Sequence, residues 1–173
     1  CYALLLAFIG SMLGTLLADD MILLFMFWEG MLVTSSLLLA GWGDGEQVRS
    51  VTLKYFLYTQ AGSLLLLASL AWLMIETGSS SVADLRTGLA FVSVGRLRWI
   101  AALMFVAFGI KLAIAPLHTW LPDAHVEAPT GGSVILAAIM LTIGGYGFLR
   151  FRLPITPDAS HTLEWWIISM AFI

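Results

Sequence analysis

Cysteine is almost absent: Cys1 is the only one among 173 residues, so neither a disulfide framework nor a thiolate metal cluster is available, and the redox compartment goes unread. Charge is scarce too. Only 11% of residues are charged, against about 25% in an ordinary soluble domain, and the formal net charge is −3 with no basic patch, which argues against nucleic acid as a partner. No GxGxxG turn, CxxC pair or GxSxG elbow occurs, which excludes a dinucleotide fingerprint, an iron–sulfur ligand run and a hydrolase nucleophile of those types. Histidines and carboxylates gather between Leu117 and Pro129, as His118, Asp123, His125 and Glu127. The i, i+4 histidine spacing of a helical HExxH site is missing there, and the interleaved prolines favour a rigid re-entrant connection over a metal centre.

What the chain has in abundance is apolar length. Sixty per cent of its residues are hydrophobic and the mean hydropathy is +0.96, which defines an all-α polytopic membrane protein. The pattern predicts membrane helices over about 2–18, 21–42, 51–75, 99–121 and 131–151, making residues 1–151 one five-helix unit. Residues 152–173 read as a loop and the start of a sixth helix. Gly10 and Gly14 have the small-x-x-x-small spacing that lets two helices approach. Asp19 and Asp20 form a turn short enough to make the first two helices antiparallel neighbours. The least apolar stretch, Glu76 to Arg98, is expected along the interface. Arg86, Arg96, Arg98, Arg150 and Arg152 fall on one face against Arg49 and Lys54 on the other, which favours the first face as cytoplasmic. The chain opens on Cys1 and its last apolar run, from Leu163, stops at Ile173, about half of the roughly 20 residues a span needs. It is therefore expected to be an internal piece of a longer chain. No signal peptide is visible, and without the native start that says little.

The informative residues are the charges inside these runs. Lys111 lies about twelve residues into the fourth span, some 18 Å along its axis, where a lysine costs roughly 2.5 to 3.5 kcal/mol and persists by facing a bundle interior, a partner charge or water. Pro116 and Pro122 follow, removing two backbone donors, and a helix break at membrane depth survives only where it faces protein or a wet cavity. Glu29 sits roughly 12 Å into the second span. Its bland reading is a neutral carboxyl hydrogen-bonded to a neighbouring helix; its functional reading is a proton or cation site. Lys54, near the start of the third span, is equally a snorkelling lysine or the head of a polar ladder with Tyr58, Thr59, Gln60 and Ser63. Thr142, mid-way along the fifth span, is expected to face the bundle interior. His118 and His125, on either side of Pro122, complete the candidate path.

KLAIAPLHTWLPDAHVEAPTGGS (Lys111–Ser133), GGYGFLRF (Gly144–Phe151), KYFLYTQAGSL (Lys54–Leu64) and FWEGML (Phe27–Leu32) together resemble the antiporter-like membrane subunits of respiratory complex I, above all the subunit M branch. The resemblance implies a five-helix repeat with a broken fourth helix, paired in the complete subunit with an inverted copy. It implies that Glu29 and Lys111 form the charged pair of a proton path, with Lys54 at a position where a lysine is common. One departure stands out. The family pattern LLKxGGYG has a lysine where this chain has Thr142, and a threonine hydroxyl orders water without taking up a proton.

Burial disfavours a charged lysine while a nearby carboxylate favours it, and at about 4 Å and an effective dielectric near 20 that attraction is about 4 kcal/mol. A small carboxylate movement is then enough to switch the lysine between holding and releasing a proton. The expected function is a proton-translocating subunit of a NADH:quinone oxidoreductase with no redox centre of its own, in a bacterial inner membrane. NADH, FMN, iron–sulfur clusters and quinone would belong to partner subunits; the lipid bilayer and other membrane subunits are its expected surroundings. Rivals are an Mrp-type sodium/proton antiporter or membrane-bound hydrogenase subunit, and a non-transporting scaffold in which Glu29 and Lys111 are a structural pair. An intramembrane protease using Ser133 and a histidine lacks a nucleophile motif.

Overall fold

The computed structural model describes residues 2–43, 45–89, 92–128 and 140–152, with the side chains of Arg86, Thr87 and Arg152 excepted. The elements in order are α1 (Tyr2–Leu17), α2 (Met21–Trp42), α3 (Val48–Thr77), α4 (Val82–Gly88), α5 (Val94–Leu112), α6 (Leu121–Glu127) and α7 (Leu141–Gly147), the last running into a π-helical turn at Phe148–Arg152. The first part of the expected fifth span, 131–139, and the loop and sixth helix beyond 152 lie outside the described residues, as does Ser133.

Short connections dictate the topology. Asp20 caps α2, its carboxylate accepting from the backbone N–H of Ile22 (2.8 Å) and Leu23 (3.1 Å), and only Ala18–Asp20 separate α1 from α2, so the two lie antiparallel along one another. The turn is closed from outside by the connection between α3 and α4: Met21 N–H donates to Ser80 C=O (2.9 Å), Val82 N–H to Asp19 C=O (3.1 Å), and the Ser80 hydroxyl to the Asp20 carboxylate. These bonds hold the Asp20 carboxyl below its ordinary range, the Ser80 hydroxyl contributing most and the two backbone donors adding to it against partial burial. α3 turns back from α2 and packs along α5, which in turn packs on α7. Arg150 closes the same end of the bundle, donating to Leu16 C=O (2.6 Å) and pairing with Asp19 (3.3 Å), beside a Tyr146 hydroxyl that also donates to Leu16 C=O (2.7 Å). Both bonds satisfy a last-turn carbonyl of α1.

Polarity is arranged inside out. Large apolar side chains such as Leu6, Leu13, Leu23, Met26, Leu57 and Leu64 are exposed, while Ser35, Ser36, Thr59, Ser63, Ser69 and Lys111 are buried. The buried hydroxyls are satisfied largely by their own helices: Ser36 donates to Leu32 C=O (2.8 Å), Thr59 to Tyr55 C=O (2.7 Å) and Ser69 to Leu66 C=O (2.7 Å). A surface that apolar suits hydrocarbon or other helices rather than water. α2 and α3 are long and apolar enough to cross a membrane by length and composition, and α1 is a shorter apolar helix.

The fourth span is broken between Leu112 and Leu121. Ala113 ends α5 in the left-handed region (φ 55°, ψ 46°) and Ile114 N–H returns to Gly109 C=O (2.9 Å), the six-to-one bond of a Schellman cap. Pro116 has no N–H with which to resume the helix. Tight turns follow, with Leu117 N–H bonded to Ile114 C=O (2.6 Å), until α6 starts at Leu121 with Pro122 in its first turn. α5 begins at Val94, five residues earlier than the apolar pattern suggests, because Arg96 finds a partner in Glu76 (2.8 Å) at the end of α3.

Candidate functional site

Lys111 stands in the last turn of α5, one residue before the helix stops, and only 3% of it is exposed. Its Nζ has no hydrogen-bond partner. The ammonium instead lies 5.1 Å from the centroid of the Trp28 ring, a cation–π contact worth about 2 kcal/mol when desolvated. That ring is fixed on two sides: its Nε1 donates to Ser63 Oγ (3.2 Å) on α3, and Phe108 on α5 meets it edge-on at 5.7 Å. Trp28 thereby sets the distance between α2 and α5 and the height of Lys111 between them.

Glu29 follows Trp28 on α2 and is half-buried. Its Oε1 accepts from Gln60 Nε2 of α3 at 3.5 Å. Glu29 and Lys111 are not in direct contact, since Lys111 Nζ lacks any hydrogen-bonding partner. The arrangement is an acid on α2 and a base on α5, with an indole against the base and a glutamine on the acid.

The break supplies the floor of the site. Trp120, 1% exposed, returns from the unwound stretch to donate its Nε1 to Ile110 C=O (3.0 Å) and tilts against Tyr55 at 5.3 Å. Tyr55, fully buried, shares a hydrogen bond with Ser35 (2.7 Å). On α3 the buried residues Tyr55, Thr59 and Ser63 recur every four positions, so one polar stripe runs from the Trp120 anchor to the Trp28 indole.

Lys54 lies away from Lys111, paired with Asp123 Oδ2 of α6 at 2.6 Å, each side chain nearly half exposed. His118 is exposed on the unwound stretch and His125 is half-buried on α6. Thr142 is where sequence reasoning is corrected. It was expected inside the bundle, yet it is exposed while Ile143 and Gly144 are buried. α7 meets α5 through its glycines: a Cβ on Gly144 would lie 2.8 Å from Leu112 N, and one on Gly147 would lie 2.5 Å from the Phe108 ring. That close approach fixes the glycine face inward, and Thr142, two residues and about 200° earlier, falls on the other side.

Trp28, Tyr55, Ser35 and Trp120 were not singled out from sequence. The signal was available for two of them, since Trp28 precedes Glu29 and Tyr55 follows Lys54 inside motifs already marked. Indoles and a phenol carry polar groups that must find partners when buried.

Residues 18–173 match the NADH:quinone oxidoreductase/Mrp antiporter transmembrane family. NADH-quinone oxidoreductase subunit M of Pseudomonas aeruginosa is 42% identical over 165 residues, covering 90% of this chain and 32% of that protein. The fold superimposes on a chain of respiratory complex I from Thermus thermophilus with a TM-score of 0.89 at 28% identity, covering 97% of this chain and 36% of that one. A chain of the Mrp complex from Dietzia sp. DQ12-45-1b gives 0.83 at 33% identity, covering 94% and 18%. The chain spans about a third of the length of the curated relatives it matches. With a broken fourth helix, a buried lysine at the break and a family match over nine-tenths of its length, this chain belongs to the NADH:quinone oxidoreductase/Mrp antiporter transmembrane family.

Proposed function

We propose that this chain is the first proton-channel unit of a subunit M type membrane protein of NADH:quinone oxidoreductase, and that Lys111 carries the proton with Glu29 as its electrostatic partner. The observation that carries the reading is the Lys111 ammonium: 3% exposed, without a hydrogen-bond partner, and seated where α5 breaks. A structural salt bridge would close the lysine onto its carboxylate, because a buried ammonium left unpaired costs several kcal/mol. A proton carrier needs the opposite: a charge held by a polarisable face, Trp28, and an acid near enough to bias it but free to move. Glu29, held by one long bond to Gln60, meets that requirement.

In this reading the chain supplies no redox chemistry. NADH, FMN, iron–sulfur clusters and quinone sit on partner subunits, and the energy of quinone reduction reaches Lys111 as a change in the field around it. Lys54 and the histidines serve the outer end of the path. Thr142, facing away from the bundle, acts on the side where the remaining two thirds of a full-length relative would pack. The location is a bacterial inner membrane among other membrane subunits of the complex.

The similarity to the Mrp complex chain supports a second reading, a cation/proton antiporter subunit using the same pair. Proton pumping by the full-length protein in the assembled complex, reconstituted in vesicles, decides the matter. Lys111→Ala is expected to abolish most pumping with assembly intact. Full pumping by that variant would remove the lysine as carrier, and sodium-dependent proton flux without NADH oxidation would favour the antiporter.

A further inference from the structure

At the far end of α6 from the break, an open depression of about 430 Å3 is lined by Gln47, Ser50, Lys54, Asp123 and Glu127 together with two valines. Two features set it apart. The Glu127 Oε2 is buried and has no hydrogen-bond partner, although an ionised carboxylate out of water demands donors. The reason for its position is the α2–α3 connection: a Cβ on Gly45 would lie 1.7 Å from that oxygen, so the glycine is what allows the loop to close over the carboxylate. Beside it the Lys54 ammonium is already committed to Asp123 at 2.6 Å. The cation in the depression therefore leaves Glu127 unneutralised, and the other polar lining residues, Gln47 and Ser50, carry no charge.

We propose that Glu127 is the proton-loading carboxylate of this unit: its Oε2 takes a proton from water in the depression and releases it inward along α3 toward Tyr55 and the Lys111 site. Uptake converts the carboxylate to the carboxylic acid and release restores the carboxylate, so the group cycles without any other reactant. Lys54, one residue from Tyr55 on α3, is held at the mouth by Asp123. The inference rests on the proton-carrying role of Lys111.

The test uses full-length protein in the assembled, reconstituted complex and compares Glu127→Gln with Lys111→Ala. A carboxylate antenna matters most where protons are scarce, so Glu127→Gln is expected to slow pumping about tenfold at pH 8 and much less at pH 6, within the range that positioned acids contribute. Glu127→Asp should keep pumping with a displaced pH profile, and Gly45→Ala, which crowds the carboxylate, should behave like Glu127→Gln. If Glu127→Gln fails to assemble, the pH profile of Glu127→Asp decides, and an unchanged profile overturns the proposal. Wild-type rates by Glu127→Gln across that pH range, with Lys111→Ala inactive, overturn the loading role alone. Full pumping by Lys111→Ala overturns the underlying function instead.

Discussion

Lys111 and Glu29 are the residues on which the proposed function turns, and both were singled out from sequence because an ionisable side chain in a long apolar run has few explanations. What sequence could not show was the manner of their coupling. The resemblance implies a charged pair, and the structure places Trp28 beside the lysine and Gln60 beside Glu29. An indole adjacent to a glutamate in sequence reads as ordinary membrane packing, and only the folded distances reveal its contact with a lysine more than eighty residues away. Trp28→Leu is predicted to preserve the fold but weaken pumping, since it removes a cation–π contact of about 2 kcal/mol and leaves Ser63 without its donor. Pumping rate and assembly of this variant, measured together, check the point: unchanged pumping would make the indole a spacer only.

Among the elements, the broken span was the most readable and α7 the least. Two prolines within seven residues announce a break, but its atomic form depends on Ala113 accepting a left-handed backbone, for which an alanine sequence gives no sign. Glycine carries no Cβ penalty there, so Ala113→Gly should leave assembly intact and stabilise modestly, by up to about 1 kcal/mol, whereas β-branched Ala113→Val should lower the thermal midpoint. Thr142 was misplaced because the periodicity of α7 is ambiguous: it is apolar on most sides, and its packing face is set by glycines rather than by hydrophobic side chains. Gly144→Leu is accordingly predicted to drive α5 and α7 apart and abolish assembly, while Thr142→Val does not, a contrast read by blue-native electrophoresis of the complex. At the N-terminus of α2, Asp20→Ala should cost about 1 kcal/mol. Because Ser80 and two backbone donors hold its carboxyl below the ordinary value near 3.8, the cap's contribution is complete above that value and is lost as pH falls through the lower folded value. A neutral-pH stability measurement therefore sees all of it.

At the scale of the whole molecule, the helix order and the inside-out placement of polar side chains follow from composition and short connections, which leave few ways to arrange antiparallel apolar helices. The assignment of charges to places does not follow from those rules. Lys54 and Lys111 look alike in sequence, yet one is half exposed in an ion pair and the other is sealed between two helices. The exposed pair should contribute no more than about 1 kcal/mol to stability, so Lys54→Met would test transport at the mouth rather than folding, while Lys111 tests the centre of the path. Coupling between Lys111 and Glu29 is the claim on which everything else depends. Its most direct test is a double-mutant cycle of Lys111→Ala and Glu29→Gln on proton pumping by the full-length protein in the reconstituted complex. The account predicts that each variant alone loses most pumping and that the pair loses little more than either; strictly additive losses, or full pumping by Lys111→Ala, would contradict it.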